Sequence, residues 1–147
     1  MGHEEQRDVA RRALELAGLD GRALDDADGA PTLFAEVRVR LSGEGFALAS
    51  HEEVALVAVG AESAMEIQLE ARALARKWAC SWKGGVGPDT VRVAYVAEVP
   101  LPEGEPPAVA AAQLQEAMAR VHVAHVLLKQ RALQIAAAHA KRGGWHP

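Results

Sequence analysis

Aromatic side chains are scarce: three Trp, two Phe and one Tyr make up 4% of the 147 residues. With so few rings, a platform on which nucleic-acid bases stack is not expected. Basic excess is missing too. The formal net charge is −4 and the isoelectric point lies near 5.9, whereas a dedicated nucleic-acid binder is usually basic. Cys80 is the one cysteine, so no disulfide can form within the chain, which suits a reducing compartment. No apolar run approaches the length of a membrane span. Residues 1–8 are charged and hold no apolar stretch, unlike a signal peptide. Gln6 stands where N-myristoylation of Gly2 wants Ser or Thr. These absences predict a cytoplasmic protein that takes neither nucleic acid nor membrane as partner.

Catalytic signatures are also missing. There is no Ser–His–Asp pattern, no His-Glu-x-x-His and no pair of carboxylates at a telling spacing. This argues mildly against a hydrolase, since sites also assemble from distant residues. Lys83-Gly84-Gly85-Val86-Gly87 looks like the opening of the deviant P-loop of some ATPases. Pro88 and Asp89 then stand where Lys and Ser or Thr are needed, and the stretch leads into a strand rather than a helix. A Gly-Pro hairpin turn is the simpler reading. His122 and His125 are three apart on one helix, but no Asp, Glu or Cys at helical spacing completes a metal site. Trp78 and Trp82 near Arg76, Lys77 and Lys83 read as core tryptophans with a charged rim rather than a nucleic-acid patch. Cys80 lies between them with no His placed to activate it, so a structural thiol is expected. No catalytic residue, metal or cofactor is assigned.

What is present is patterning. Half of the residues are hydrophobic, enough for one domain with a core, and no repeat or boundary divides residues 1–147. Residues 4–17 read as a first helix stopped by Gly18. Residues 19–31 read as a loop. Residues 33–41 alternate, with Leu33, Ala35, Val37, Val39 and Leu41 on one face and Glu36, Arg38 and Arg40 on a solvated one. Residues 46–50 and 54–59 read as two further strands, the second central, giving an antiparallel meander. Helical spacing returns over residues 62–79, where Ile67, Ala71, Leu74 and Trp78 share a face. A short strand near residues 79–83, a Gly-Pro turn and a long strand over residues 90–99 follow. The expected fold is α+β: an antiparallel sheet of about five strands with an N-terminal helix, a middle helix and a long C-terminal helix at about 107–142.

That last helix organises the chain. Pro106 and Pro107 suit its first turn, Gly143 and Gly144 its end, and Lys141 and Arg142 its C-terminal dipole. Leu114, Val121, Leu128 and Ile135 recur every seven residues, flanked by Met118 and Ala132, in a stripe close to a heptad seam. Val123, Val126, Leu127 and Leu133 lie outside it, so the middle is apolar on more than one face. One face is expected against the protein's own sheet and the other against a second subunit. At 1.5 Å per residue, roughly 35 residues span about 50 Å, well beyond a radius of gyration of about 15 Å. The predicted interface residues are Leu114, Met118, Val121, His125, Leu128, Ala132, Ile135 and His139. His125 and His139 lie about 20 Å apart along one helix. They could meet only across the two-fold axis of an antiparallel helix pair centred near Ala132, a pH-sensitive seam; packed and hydrogen-bonded histidines are the simpler reading. A ligand pocket between sheet and helices, lined by Tyr95, His122 or His125, is the alternative site. The tail carries Trp145, a candidate for docking on a neighbour, although a loose terminus is the simpler reading.

The order helix, three strands, helix, two strands, helix resembles the type III secretion chaperones and the related YbjN-like proteins. The closest local likeness is residues 78–102, a helix end, Cys80-Ser81-Trp82-Lys83, a Gly turn, and the strand from Val91 to Pro102. The resemblance implies a dimer that binds a segment of another protein and has no catalytic residues. The last helix is longer than that family needs, and the strands show no obvious apolar groove. The resulting expectation is a non-enzymatic, chaperone-like, protein-binding homodimer. The alternatives are a small-molecule binder or enzyme, and a structural subunit of a larger assembly.

Overall fold

The computed structural model describes residues 3–19, 29–43 and 45–143. Most of the loop expected over residues 19–31, and Trp145, lie outside the described residues. Helix α1 (His3–Leu16) begins with Glu4 and Glu5, whose charges suit its dipole, and turns Ala10, Ala13 and Leu14 inward. It closes as a Schellman motif. The N–H of Leu19 donates to the Leu14 carbonyl (2.8 Å) and that of Gly18 to the Glu15 carbonyl (3.0 Å). Gly18 takes the left-handed conformation this requires (φ 85°).

Five strands follow: β1 (Ala30–Pro31), β2 (Val37–Ser42), β3 (Gly45–Ala55), β4 (Ser81–Val86) and β5 (Thr90–Pro100). They pair antiparallel throughout in the order β1-β2-β3-β5-β4, so β3 is central. After β3 come a short helix α2 (Leu56–Val59), a 3-10 turn (Ala61–Ser63) and helix α3 (Ala64–Lys77). The chain ends in α4 (Pro107–Gly143), 37 residues and about 55 Å long. This is the expected α+β fold.

Two strand readings are corrected. Residues 33–36 are not strand: Thr32 Oγ1 accepts from the Phe34 N–H (3.1 Å), the Val37 N–H donates to the Phe34 carbonyl (2.9 Å), and Leu33 and Ala35 are exposed. This local turn delays β2 to Val37, and Ala30–Pro31 supplies the edge strand instead. The two strands expected over residues 46–50 and 54–59 are one strand, β3. It continues through the polar His51-Glu52-Glu53 because Glu52, on the inner face, has a histidine partner there. The ladder stops at Ala55↔Thr90, where the Leu56 N–H donates to the Asp89 carbonyl of the β4–β5 turn and the chain coils into α2.

All helices among the described residues lie on one face of the sheet. Val37, Val39, Phe46, Leu48, Val54, Val91, Val93, Tyr95 and Val99 point into this layer and are buried. Helix α4 crosses the middle of the sheet, with α1 on one flank and α3 on the other. Its two-sided apolarity therefore has an intramolecular cause, since sheet, α1 and α3 between them cover most of its girth. An 11-residue strand is about 36 Å long, so α4 exceeds the sheet by roughly 20 Å. Ala137, Ala138 and Ala140–Arg142 emerge exposed at that end. The opposite face of the sheet is covered by no element among the described residues.

Candidate functional site

The stripe predicted as an interface is core. Leu114, Met118, Val121, His125, Leu128, Ala132 and Ile135 are all buried within the protomer, packed on its own sheet and flanking helices. A heptad stripe cannot by itself distinguish a partner helix from a sheet, because both bury one face of α4. His139 is half-buried, with Nδ1 4.0 Å from Glu62. The seam through His125 and His139 would require His125 at a surface, and it is only 2% exposed.

Each histidine of α4 faces a glutamate from another element. His125 Nε2 lies 3.0 Å from Glu52 Oε2 on β3. His122 Nδ1 lies 3.2 Å from Glu36 Oε2, and its ring stacks on Phe34 with centroids 4.2 Å apart. Burial holds the His125 imidazole below its ordinary pKa, although Glu52 and Glu36 pull upward. A backbone hydrogen bond holds the Glu36 carboxyl below its usual value, with His122 adding to it. Tyr95 is buried and its hydroxyl donates to the Ala71 carbonyl of α3 (2.9 Å). Burial pushes that hydroxyl well above the ordinary phenol range.

Tyr95, His122 and His125 thus turn to three different partners, on α3, before β2 and on β3. None of them lines either principal depression of the surface. Among the described residues no group of three or more His, Cys, Asp or Glu is placed to hold a metal. Trp82 points inward with Tyr95 and Lys83 points outward with Ala94, so they share no basic-aromatic face. Lys77 Nζ sits 5.8 Å from the Trp78 ring centre. Burial raises the Cys80 thiol, against a smaller opposing pull from Arg120, which leaves it protonated at neutral pH. Lys83–Val86 belong to β4, and the loop at 87–89 returns to β5, so no helix N-terminus is available for a phosphate.

Two surfaces remain. The first is the bare face of the sheet. It holds a depression of about 770 Å³ lined by Arg38, Arg40, Ala47, Ala49, His51, Lys83, Ala94, Val96 and Glu98, among others. The second is the β4 end of the molecule. Edge strand β1 is two residues long and contains Pro31, both of which discourage pairing. Edge strand β4 is six residues long and contains no proline, and one of its sides is open. Helix α3 lies over this end, with Met65 (63%) and Leu69 (58%) exposed. Periodicity pointed to α4; the exposed stripe of α3 was hidden, because a half-apolar, half-charged helix face reads as an ordinary solvated one. The symmetric placing of its charges was the available signal. No helix among the described residues is long and apolar enough to cross a membrane. No protein-family model, no curated protein and no solved structure matches this chain.

Proposed function

We propose that this chain is a non-enzymatic, protein-binding adaptor that works as a homodimer joined through α3. The observation that carries the reading is the symmetry of the α3 surface about Leu69. Going outward along one helical stripe, Met65 is matched by Ala73, Glu66 by Arg72, and Glu62, one turn before, by Arg76. Two copies packed antiparallel on a two-fold axis at Leu69 set Leu69 against Leu69, Met65 against Ala73, and each glutamate against an arginine. This is the self-complementarity an isologous interface needs.

The helix stripe is about 21 Å long and about 10 Å wide. That falls short of the roughly 800 Å² per partner of a stable interface. The neighbouring β4 edge, with exposed Val86, supplies further surface and a row of unpaired backbone groups. Glu66 already contacts Arg131 at 2.6 Å, but both are solvent-accessible and the carboxylate can be shared. The element order that resembles type III secretion chaperones and YbjN-like proteins supports the same reading, as does the wide bare face of the sheet. The test is solution mass by light scattering. The expected value is twice 15.6 kDa, falling to 15.6 kDa in Leu69→Asp with the circular dichroism unchanged. A wild-type monomer at all concentrations, or a Leu69→Asp dimer, overturns the proposal.

A further inference from the structure

The bare face of the sheet is not built like a face that meets only water. On a one-sided antiparallel sheet the outward positions are ordinarily polar. Here four of the outward positions at the centre are Ala47 and Ala49 on β3 and Ala94 and Val96 on β5; Ala49 pairs with Val96, while Ala47 faces Glu98 and Ala94 faces His51. Alanine is depleted in strands because it packs poorly on a pleated surface. Long side chains stand at the margins instead: Arg38 and Arg40 on β2, Lys83 on β4. The product is a trough with basic walls and a floor of small apolar side chains beside His51.

Its width follows from the sheet. From β2 to β4 is three strand steps, about 14 Å. An α-helix with its side chains is about 10–12 Å across, and so fits between the walls. Charge completes the description. Arg92 is neutralised by Glu53 at 3.0 Å, and Arg38 reaches the Gly29 carbonyl. Arg40 and Lys83, on opposite walls, have no ion-pair partner among the described residues. Glu98 lies in the same cross-strand row as Arg40, two strands away, so the lining carries Arg38, Arg40 and Lys83 against one carboxylate on a chain whose net charge is −4.

We propose that this trough docks an acidic amphipathic helix of a partner protein. The helix's apolar stripe lies on Ala47, Ala49, Ala94 and Val96, and its carboxylates on the two flanks reach Arg40 and Lys83. The proposal rests on the protein-binding reading above but not on the dimer. Nucleic acid fits less well: the lining holds a single ring, His51, and the chain as a whole is acidic.

The test uses the full chain and fluorescence anisotropy with three labelled probes. One is a helical peptide of about 18 residues with Leu and Ala along one face and Glu on both flanks. The second carries Gln for every Glu, and the third is a single-stranded DNA of similar length. The acidic peptide is expected to bind, and to weaken about tenfold between roughly 50 and 300 mM salt as the charges are screened. The Gln peptide is expected to bind about tenfold more weakly, as is the acidic peptide to the Arg40→Glu, Lys83→Glu double variant. Arg40→Gln with Lys83→Gln serves where charge reversal disturbs folding, and Ala49→Gln tests the floor. Failure of the acidic peptide to bind, equal binding of the Gln peptide, indifference to the wall substitutions, or tighter binding of DNA overturns the proposal. Solution mass measured on the same samples separates the two ideas. A dimer that ignores the peptide sinks only the trough, and a monomer that binds it sinks only the dimer.

Discussion

Leu128→Ala measures how much the buried heptad stripe of α4 contributes as core. Leu128 is 1% exposed, at the middle of the helix and over the centre of the sheet, whereas Leu133, five residues on, is 62% exposed. Truncation to alanine removes three carbons, worth about 2.4 kcal/mol at about 0.8 kcal/mol for each buried methylene. The cavity left behind raises the loss to about 3–4 kcal/mol. Leu133→Ala, at the surface, is expected to change stability by less than about 0.5 kcal/mol. Urea titrations followed by circular dichroism measure both, and the Leu128→Ala midpoint should fall at an unchanged slope. Its melting temperature should drop by roughly 10 °C, at about 2–4 °C per kcal/mol for a chain near this size. A loss under about 1 kcal/mol would refute the packing described here. So would a loss that disappears as protein concentration is raised, because that is how an intermolecular seam behaves.

Other consequences follow from single contacts. Tyr95→Phe deletes the hydroxyl that donates to the Ala71 carbonyl and is expected to cost about 1 kcal/mol in a urea titration; no change would mean the bond contributes nothing net. His125 has a depressed pKa in the fold, so protons favour the unfolded chain. Its contribution is intact above an unfolded pKa of about 6.5 and is lost as pH falls below it, so stability should decline from pH 7 to 5. His125→Leu should flatten that limb, leaving the separate loss below about pH 4.5 that the depressed Glu36 carboxyl produces; a flat wild-type profile would contradict this. Gly45→Ala would place a Cβ 2.3 Å from the Val99 carbonyl oxygen, backbone that cannot swing aside. The β3–β5 register should be disturbed at a cost of about 1–3 kcal/mol, read by denaturation and by amide exchange along the first pairs of the ladder.

The architecture was legible wherever local signals agreed with tertiary packing. Nothing between Pro107 and Gly143 breaks a helix, and α4 runs that length. Val91, Val93, Tyr95 and Val99 alternate, and β5 buries all four. The signal failed where a distant contact decided the outcome. Glu52 on an inward strand position looks like an interruption of β3 until His125, 73 residues later in the chain, is brought against it. Leu56–Val59 has strand-like composition, but the Asp89 carbonyl captures the Leu56 N–H and ends the ladder. The candidate surfaces were less visible still. Arg38 and Arg40 read as a wet strand face, and only the cross-strand register places the alanines of β3 and β5 between them and Lys83.

The proposed homodimer through α3 is tested most directly by exchanging its charges. Arg72→Glu with Arg76→Glu makes the stripe acidic throughout, and Glu62→Arg with Glu66→Arg makes it basic throughout. Each variant alone should be a 15.6 kDa monomer by native mass spectrometry, through like-charge repulsion across the axis. Mixed in equal amounts, they should give a heterodimer of about twice that mass. Variants that keep the wild-type mass when alone, or that stay monomeric when mixed, would contradict the account.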